Sequence, residues 1–248
     1  GPGQMWETVA AEVTKGGGEI RFGHRVVGVV TEGGRVTEVE VEDEQTRERE
    51  RVAGDYFFST MPMRELIDAM DAPVPAHVRE VSSGLQYRDF ITVGLLADKL
   101  KVREPDGGLL KDTWIYVQEP DVLLGRLQIF NNWSPHLVAE PHNLSIGVEY
   151  FCYETDDVWK MTDEELKGFA VAEAAKIGIL NAGDVLDGHV VRVPKTYPAY
   201  FGTYDRFDEL REFTDWFENL FLVGRNGMHK YNNQDHSMLT AMTAVDGI

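Results

Sequence analysis

A short glycine-rich run near the carboxyl end of the sequence has the residue types needed to bind an anion. It reads Gly224-Arg225-Asn226-Gly227 and follows the largely apolar stretch 219–223. Glycines let the backbone approach a ligand closely, and a guanidinium can hold two phosphate oxygens at once. Where a strand stops and a helix starts, backbone N–H groups and the positive end of the helix dipole add to this attraction. The run therefore predicts a phosphate contact, although an ordinary turn with a surface arginine has the same pattern.

A dense run of polar residues, 231–238, follows this turn. A loop at this place does not require so many polar side chains, so the run is typical of one that binds a polar ligand. Its candidate ligand contacts are Tyr231, Asn233, Asp235, Ser237 and Met238. A helix is predicted from about residue 236 to the end, so its positive N terminus would lie beside these side chains. Aspartate is also a good helix N-cap residue, so Asp235 fits both a ligand contact and a cap.

A second group of candidate binding residues lies in the middle of the chain. Arg126, Asn131 and Trp133 lie on or after a predicted strand, where alternating polar side chains can face a ligand. A half-exposed strand explains this pattern equally well. No histidine or carboxylate spacing predicts a metal site, and the only cysteine, Cys152, is expected to be a small buried apolar residue.

The elements that must position these residues alternate between helix and strand. A helix is predicted near the start and ends at glycines 16–18, and two more are predicted at 64–70 and 162–179. Residues 42–51 carry charges of both signs and are expected to form a solvated loop and strand end. Strands are expected in the β-rich runs 19–22, 25–30, 36–41, 52–60, 90–94, 114–118, 124–130, 144–153, 189–194 and 219–223. The runs between 90 and 153 predict a mostly antiparallel sheet.

Composition and charge exclude several classes of function. The 248 residues include 24 Lys and Arg against 42 Asp and Glu, which gives a formal net charge of −18. Bulk charge of this sign excludes unaided nucleic-acid binding. No uncharged apolar run reaches the ~18 residues of a membrane span, and no signal peptide is visible. The sole cysteine allows no internal disulfide, so a reducing compartment, the cytoplasm, is expected.

These motifs resemble the flavin-dependent amine oxidase and protoporphyrinogen oxidase-like superfamily, especially the branch shared with UDP-galactopyranose mutase. The stretch 220–227 with 231–235 is similar to that branch's C-terminal flavin motif. Gly18-Glu19-Ile20, followed by Val26 and Val29, resembles the helix-glycine-strand element whose valine backbone holds the adenine. The stretch 55–62 resembles the strand that ends at the crossover into the substrate domain. All three occur in the family's order across nearly the whole chain.

The resemblance implies that the parent protein binds FAD without a covalent bond. It places Arg225, between Gly224 and Asn226, beside the pyrophosphate or ribityl chain, and Val26 beside the adenine. The remaining cofactor contacts near the ribityl chain and the pyrimidine edge of the flavin are Tyr231, Asn233, Asp235, Ser237 and Met238. It also places Tyr197 and Tyr200 where related flavoenzymes carry aromatic residues near the substrate, although core packing explains these tyrosines as well.

One element of the family is missing from this sequence. The strand-turn-helix with the Gly-x-Gly-x-x-Gly phosphate loop is absent, and glycines 16–18 cannot replace it because they follow a helix and precede a strand. We therefore expect the C-terminal portion of a longer flavoprotein, in which FAD is held by the intact parent and need not be retained by this portion alone. The surface left uncovered by the missing segment is expected to favour a homo-oligomer.

The expected fold is α/β, with an incomplete Rossmann-like FAD-binding part interwoven with an α+β substrate domain. Residues 1–62 and 205–248 are assigned to the FAD-binding part, and 63–204 to the mostly antiparallel, sheet-plus-helix substrate domain. The expected function is hydride or electron transfer from a small organic substrate to flavin, with no catalytic residue assigned. Two alternatives remain open: a UDP-galactopyranose mutase-like flavoenzyme acting on a sugar nucleotide, and a non-catalytic binding fragment.

Overall fold

A computed structural model describes residues 2–248 of the chain. The helices are α1 Pro2–Lys15, α2 Met63–Ala69, α3 Ala76–Gly84, α4 Phe130–Trp133, α5 Asp157–Lys160, α6 Asp163–Lys176, α7 Phe207–Asp215, α8 Gly224–Gly227 and α9 Gln234–Asp246. The strands are β1 His24–Glu32, β2 Arg35–Asp43, β3 Arg49–Ala53, β4 Phe57–Ser59, β5 Leu85–Ala97, β6 Trp114–Tyr116, β7 Arg126–Ile129, β8 Leu144–Cys152, β9 Val185–Gly202 and β10 Leu220–Leu222. The chain is therefore a mixed α/β protein, as predicted.

The chain forms two compact units, each built from two segments. The first unit comprises 1–18 and 88–194, and the second comprises 19–87 and 195–248. Two of the boundaries fall inside the long strands β5 and β9. The assignment of 1–62 with 205–248 and of 63–204 to cofactor and substrate stays a prediction.

The first unit is built on a five-stranded sheet with the order β6-β7-β8-β5-β9. The pairs β6–β7, β7–β8 and β8–β5 are antiparallel, which confirms the predicted sheet. Alternate residues of β5 are buried, so one face of the sheet forms the core, and Leu166, Ala170 and Ala174 of α6 belong to the same core. The Thr162 hydroxyl accepts the Glu165 N–H while the Glu165 carboxylate accepts the Thr162 N–H, a capping box that starts α6.

The second unit contains a three-stranded antiparallel sheet, β1-β2-β3, and a parallel pair, β4 with β10. Gly33 and Gly34 join β1 to β2 with φ values of 55° and 81°, the left-handed backbone that a two-residue hairpin needs. Buried residues of α2 and α3 form the core of this unit with Leu210 of α7. The pair β4–β10 is the element that carries the chain into the glycine-rich turn at 224.

Most predicted elements are present, and three differ. Residues 19–22 are not a strand, and the predicted strand 52–60 is divided between β3 and β4. The last helix begins at Gln234 and has Asn233 in its N-cap position, so Asp235 lies in the first turn and is not the cap. Helices α3 and α7 were not predicted, since both are short and lie between stronger strand patterns.

Candidate functional site

The predicted anion-binding run forms a tight turn between β10 and the short helix α8. Gly224 has φ +73°, a backbone conformation that favours glycine. A Cβ on Gly227 would lie 2.4 Å from the Ser59 carbonyl oxygen, so only glycine lets α8 approach the end of β4 this closely. The Gly224 N–H donates to the Thr240 hydroxyl at 3.0 Å. This N–H, one of the donors that the sequence suggested for a phosphate, thus joins α8 to α9 in the structure.

Arg225 brings three of the predicted residues together. Its guanidinium carbon lies 4.6 Å from the ring centre of Tyr231 and 5.5 Å from that of Tyr197, and the two rings stack at 5.8 Å. Its Nε donates to the Asn232 carbonyl at 2.8 Å, and its Nη1 donates to the Thr196 carbonyl at 3.1 Å. Arg225 therefore orders the loop before α9 against β9, and its charged, planar group lies beside a stacked pair of aromatic rings.

The N terminus of α9 has no side-chain cap. Asn233 occupies the N-cap position with an exposed side chain that makes no capping hydrogen bond. Ser237, in the first turns, instead donates to the Asn232 amide oxygen at 2.6 Å. Hydrogen bonding to the His236 backbone holds the pKa of Asp235 below its usual range, so this carboxylate stays charged. Met238 is partly exposed beside them. The start of a thirteen-residue helix is thus presented with polar groups around it.

Asn226 carries a polar atom that the described residues leave unsatisfied. Its side-chain oxygen is buried without a hydrogen-bond partner, and Asn226 belongs to α8, which packs against α9. A buried acceptor of this kind costs free energy unless something donates to it. The atom indicates a place where a ligand or water donor would stabilise the protein.

Val26, the predicted adenine contact, lies on β1 beside an open cavity of about 290 Å³. The cavity is also lined by Met61, Glu65 and Asp68, from the segment that leads into α2 and from α2 itself. The β1–β2 register shifts between Val26 and Gly28, so the backbone here is irregular. A ligand group beside Val26 therefore has room, and the adenine assignment stays a prediction.

Tyr200 belongs to an aromatic cluster around a buried histidine. Its hydroxyl accepts the Tyr231 N–H at 2.6 Å, and its ring lies 4.8 Å from that of Tyr204. His229 is fully buried, and it pairs with the Ala199 carbonyl at 3.1 Å through Nε2. Desolvation by burial holds the pKa of His229 below its ordinary value. No local pattern identifies this residue as buried, because a lone histidine is as consistent with the surface as with the core.

In the first unit, Arg126 lies on the sheet face opposite the core, within an aromatic cluster. Its guanidinium carbon is 4.7 Å from the Trp114 ring centre and 5.4 Å from that of Phe151. Its Nε donates to Glu149, which is 1% exposed and also accepts a hydrogen bond from Gln128. The Trp133 ring packs edge-on against Trp114 at 5.6 Å. The structure thus brings Arg126 and Trp133 to one ring, Trp114, which the sequence analysis did not select.

Asn131 has a local structural role in the same unit. Its amide nitrogen donates to the Asn143 carbonyl at 2.9 Å, and its amide oxygen accepts the Ser145 N–H at 3.0 Å. The Asn131 side chain therefore fixes the backbone on both sides of Leu144, where β8 begins. A substrate contact by Asn131 stays a prediction.

A larger cavity is lined by none of the predicted contact residues. It has a volume of about 570 Å³ and lies between α7 and β10, where Tyr204, Phe207 and Phe221 line it with Asp208, Arg211 and Lys230. None of the predicted contacts lines it, so size alone does not select the functional site. Among residues 2–248 no group of three or more His, Cys, Asp and Glu side chains could hold a metal ion, and no described helix is long and apolar enough to cross a membrane.

Comparison with known proteins identifies the family of this chain. The family profile described as flavin containing amine oxidoreductase matches residues 1–233. The chain belongs to this family. No curated protein sequence matches the chain. This match confirms the predicted flavin-dependent superfamily, and FAD is the cofactor of that family.

Solved structures show the same fold at low sequence identity. Reduced UDP-galactopyranose mutase is 19% identical with a TM-score of 0.73, and the match covers 92% of this chain and 46% of that one. An oxidoreductase from Methanosarcina mazei is 15% identical with a TM-score of 0.60, covering 97% and 53%. A redesigned putrescine oxidase is 13% identical with a TM-score of 0.56, covering 90% and 48%. The chain spans about half the length of these proteins.

The residues of the second unit fit the polar side of a flavin. The uncapped start of α9 supplies backbone N–H donors, and the unsatisfied Asn226 oxygen supplies an acceptor close to the same helix. An isoalloxazine edge offers both acceptor and donor groups, so the two features match its chemistry. Arg225 lies beside the stacked rings of Tyr197 and Tyr231, in the turn that precedes α9.

Proposed function

We propose that this chain supplies the flavin-ring and substrate side of an FAD-dependent oxidoreductase that oxidises a small organic substrate. The observation that carries the proposal is the turn at 224–233, in which Arg225 orders a loop immediately before the uncapped N terminus of α9. Membership of the flavin containing amine oxidoreductase family supports it.

In this proposal the chain's own residues bind and orient. FAD, when bound, supplies a ring that accepts a hydride or electrons from the substrate. The N terminus of α9 stabilises negative charge at the neighbouring ring edge, since the helix dipole and the first-turn N–H groups point there. Asn226 gains a donor for its buried oxygen. Arg225 keeps the loop in the geometry that binding needs, and its charge complements a phosphate or ribityl oxygen.

The test is a titration of the purified chain with FAD, followed by flavin fluorescence and by the absorbance spectrum after excess FAD is removed. We expect saturable quenching of flavin fluorescence, whether or not the yellow colour is retained after excess FAD is removed. Arg225→Lys is expected to weaken FAD binding about tenfold, because an ammonium group cannot replace the planar guanidinium that lies beside the two rings and donates to the Thr196 and Asn232 carbonyls. Arg79→Lys, on an exposed position of α3, is the matched control and should bind like the parent.

A folded chain that shows no saturable FAD binding would contradict the proposal, and so would equal effects of the two arginine variants. Circular dichroism of both variants separates a lost site from a lost fold. For the reaction, stoichiometric oxidation of an organic substrate is the expected result. Conversion of UDP-galactopyranose without net oxidation would instead replace the oxidoreductase with a mutase function.

A further inference from the structure

Strand β10 has an unpaired edge beside the cavity of about 570 Å³ that lies between α7 and β10. Within residues 2–248, β4 is the one strand that pairs with β10. The Phe57 N–H donates to the Asn219 carbonyl, so the odd-numbered residues of this segment direct their backbone groups toward β4. Because these groups alternate in direction along a strand, those of Leu220 and Leu222 face away from β4.

One acceptor and one donor remain unsatisfied at this edge. The Leu220 N–H is used in a turn, where it donates to the Phe217 carbonyl at 3.2 Å. The Leu220 carbonyl and the Leu222 N–H, in contrast, form no hydrogen bond with any residue between 2 and 248. Both residues line the cavity while their side chains pack in or against the core of the second unit. Their backbone groups are therefore available to a ligand in the cavity.

Aromatic rings form the walls of the same cavity. Tyr204 and Phe207 stack with their ring centres 5.6 Å apart, and Phe221 lines the cavity from β10. The volume lies within the range of roughly 300–1,000 Å³ that is typical of small-molecule sites. Apolar walls with a few convergent polar groups are the usual composition of such a site.

The charged side chains of the cavity are exposed and of both signs. Asp208 and Arg211 pair at 3.6 Å, and Asp205, Asp215 and Lys230 also line the cavity. Three carboxylates beside two cations give no net attraction for an anion, and water screens charges that are this exposed. The lining therefore favours an uncharged ligand.

We propose that this cavity binds a planar, uncharged heterocycle that contains a cyclic amide. Such a ring carries an N–H donor and a carbonyl acceptor side by side. Its N–H donates to the Leu220 carbonyl and its carbonyl accepts the Leu222 N–H, so one ligand satisfies both free groups. The ring faces pack against the aromatic walls.

A cyclic amide suits this edge better than an extended peptide does. A peptide has the same two groups, but β10 is only three residues long and offers a peptide a single pair of hydrogen bonds. The inference is independent of the proposed function, since none of the residues assigned to FAD lines this cavity.

Equilibrium dialysis of the whole chain against a matched pair of probes tests the inference. 2-Quinolinone is a neutral, planar cyclic amide, and N-methyl-2-quinolinone is the same ring without the N–H. We expect saturable binding of 2-quinolinone and at least about tenfold weaker binding of the methylated ring, which cannot donate to the Leu220 carbonyl. The blocked tripeptide acetyl-Val-Thr-Val-amide is the third probe and should bind more weakly than 2-quinolinone.

Ala244→Phe provides a variant that fills the cavity from α9. Ala244 is half-buried and lines the cavity, so a phenylalanine there occupies space that the ligand needs. We expect this variant to bind 2-quinolinone at least about tenfold more weakly. Ala11→Phe is the matched control, since Ala11 is exposed on α1 in the first unit and should not alter binding. Circular dichroism checks that both variants are folded.

The Leu222 amide resonance reports on the strand edge directly. In a chain labelled with nitrogen-15 leucine, this resonance is assigned by its absence from the variant Leu222→Met. We expect it to shift on addition of 2-quinolinone and to stay in place on addition of N-methyl-2-quinolinone.

Four results would overturn the inference: no saturable binding of 2-quinolinone, equal binding of the two quinolinones, equal effects of the two phenylalanine variants, or a Leu222 amide that does not respond. Tighter binding of the tripeptide would overturn it as well and would assign the edge to strand addition. A chain that binds FAD but not 2-quinolinone retains the proposed function and loses this site.

Discussion

At the scale of single residues, the second unit depends on buried and half-buried polar side chains that hold backbone groups of distant segments. Arg225 is one of these, since it donates to the carbonyls of Thr196 and Asn232. Asn219 is another: it is 1% exposed, accepts the Val36 N–H and donates to the carbonyls of Val36 and Asp55. It therefore joins the β1–β2 hairpin to the strand that leads into the cofactor turn.

Asn219→Ala is expected to lower the free energy of unfolding by about 3 kcal/mol, because it leaves buried backbone groups unpaired. Asn181→Ala is the control, since Asn181 is exposed and makes one hydrogen bond to Asp184, and it should change stability by less than about 0.5 kcal/mol. Urea denaturation measures both. Equal destabilisation by the two variants would contradict the role of Asn219.

His229 makes the stability of the second unit depend on pH. Burial holds its folded-state pKa below the value of about 6.5 expected in the unfolded chain, so below that pH the unfolded chain binds more protons. The free energy of unfolding should therefore fall as the pH drops from neutral to about pH 5, a range in which ordinary carboxylates stay charged. Arg64 disfavours a charged His229 further.

The variant His229→Asn isolates this contribution. His229 has φ 46°, a left-handed conformation that asparagine tolerates well. The variant should lose stability overall, through lost packing against Tyr87 and Phe207, and should show a shallower dependence on pH above about pH 5. Urea denaturation at several pH values above about pH 5 measures the free energy of unfolding of both proteins. An equal dependence of this free energy on pH in parent and variant would contradict the prediction.

At the scale of elements, the approach of α8 to β4 sets the position of the cofactor turn. Gly227→Ala would place a Cβ 2.4 Å from the Ser59 carbonyl oxygen, and backbone must move to relieve the contact. We expect a loss of about 2 kcal/mol of stability, typical of overpacking, together with weaker FAD binding. Gly183→Ala is the control, because no atom lies within 4 Å of a Cβ there, and it should be neutral or slightly stabilising.

The elements that sequence could predict are those with a strong local signal. The turn at 220–227 was predicted because an apolar run stops at glycine, and α6 because Thr162 and Glu165 have the spacing of a capping box. The predicted strand at 19–22 is wrong: Phe22 there is 85% exposed, and β propensity alone does not form a strand without a partner.

In the candidate sites, too, local sequence patterns do not predict contacts between residues that are far apart in the chain. Alternation along the predicted strand indicated that Arg126 can face a ligand, yet its partner Glu149 lies on β8 and is brought beside it only by the sheet register. Likewise, the stacking of Tyr197 with Tyr231 joins residues far apart in sequence. Trp114 was detectable in principle, since Trp114-Ile115-Tyr116 places two aromatic rings on one face of a strand, but nothing local indicates which ligand they would bind.

At the scale of the whole molecule, two opposing properties act on association. The net charge of −18 makes copies repel each other. Against this, α9 has no buried residue, and Leu239, Met242 and Val245 are each close to 60% exposed along one side of it. An apolar stripe on a helix usually packs against something.

We therefore predict that the chain self-associates through α9 and that salt strengthens the association, because added ions screen the repulsion between copies without weakening apolar contact. Sedimentation velocity should show an average mass rising above the 28.0 kDa monomer as protein and salt concentrations increase. Leu239→Glu with Met242→Glu should keep the chain monomeric. Thr155→Glu with Asn181→Asp adds the same charge at exposed polar positions outside α9 and should still associate. A monodisperse monomer at high salt would contradict the prediction, and equal loss of association in both double variants would assign the effect to charge instead of the apolar stripe.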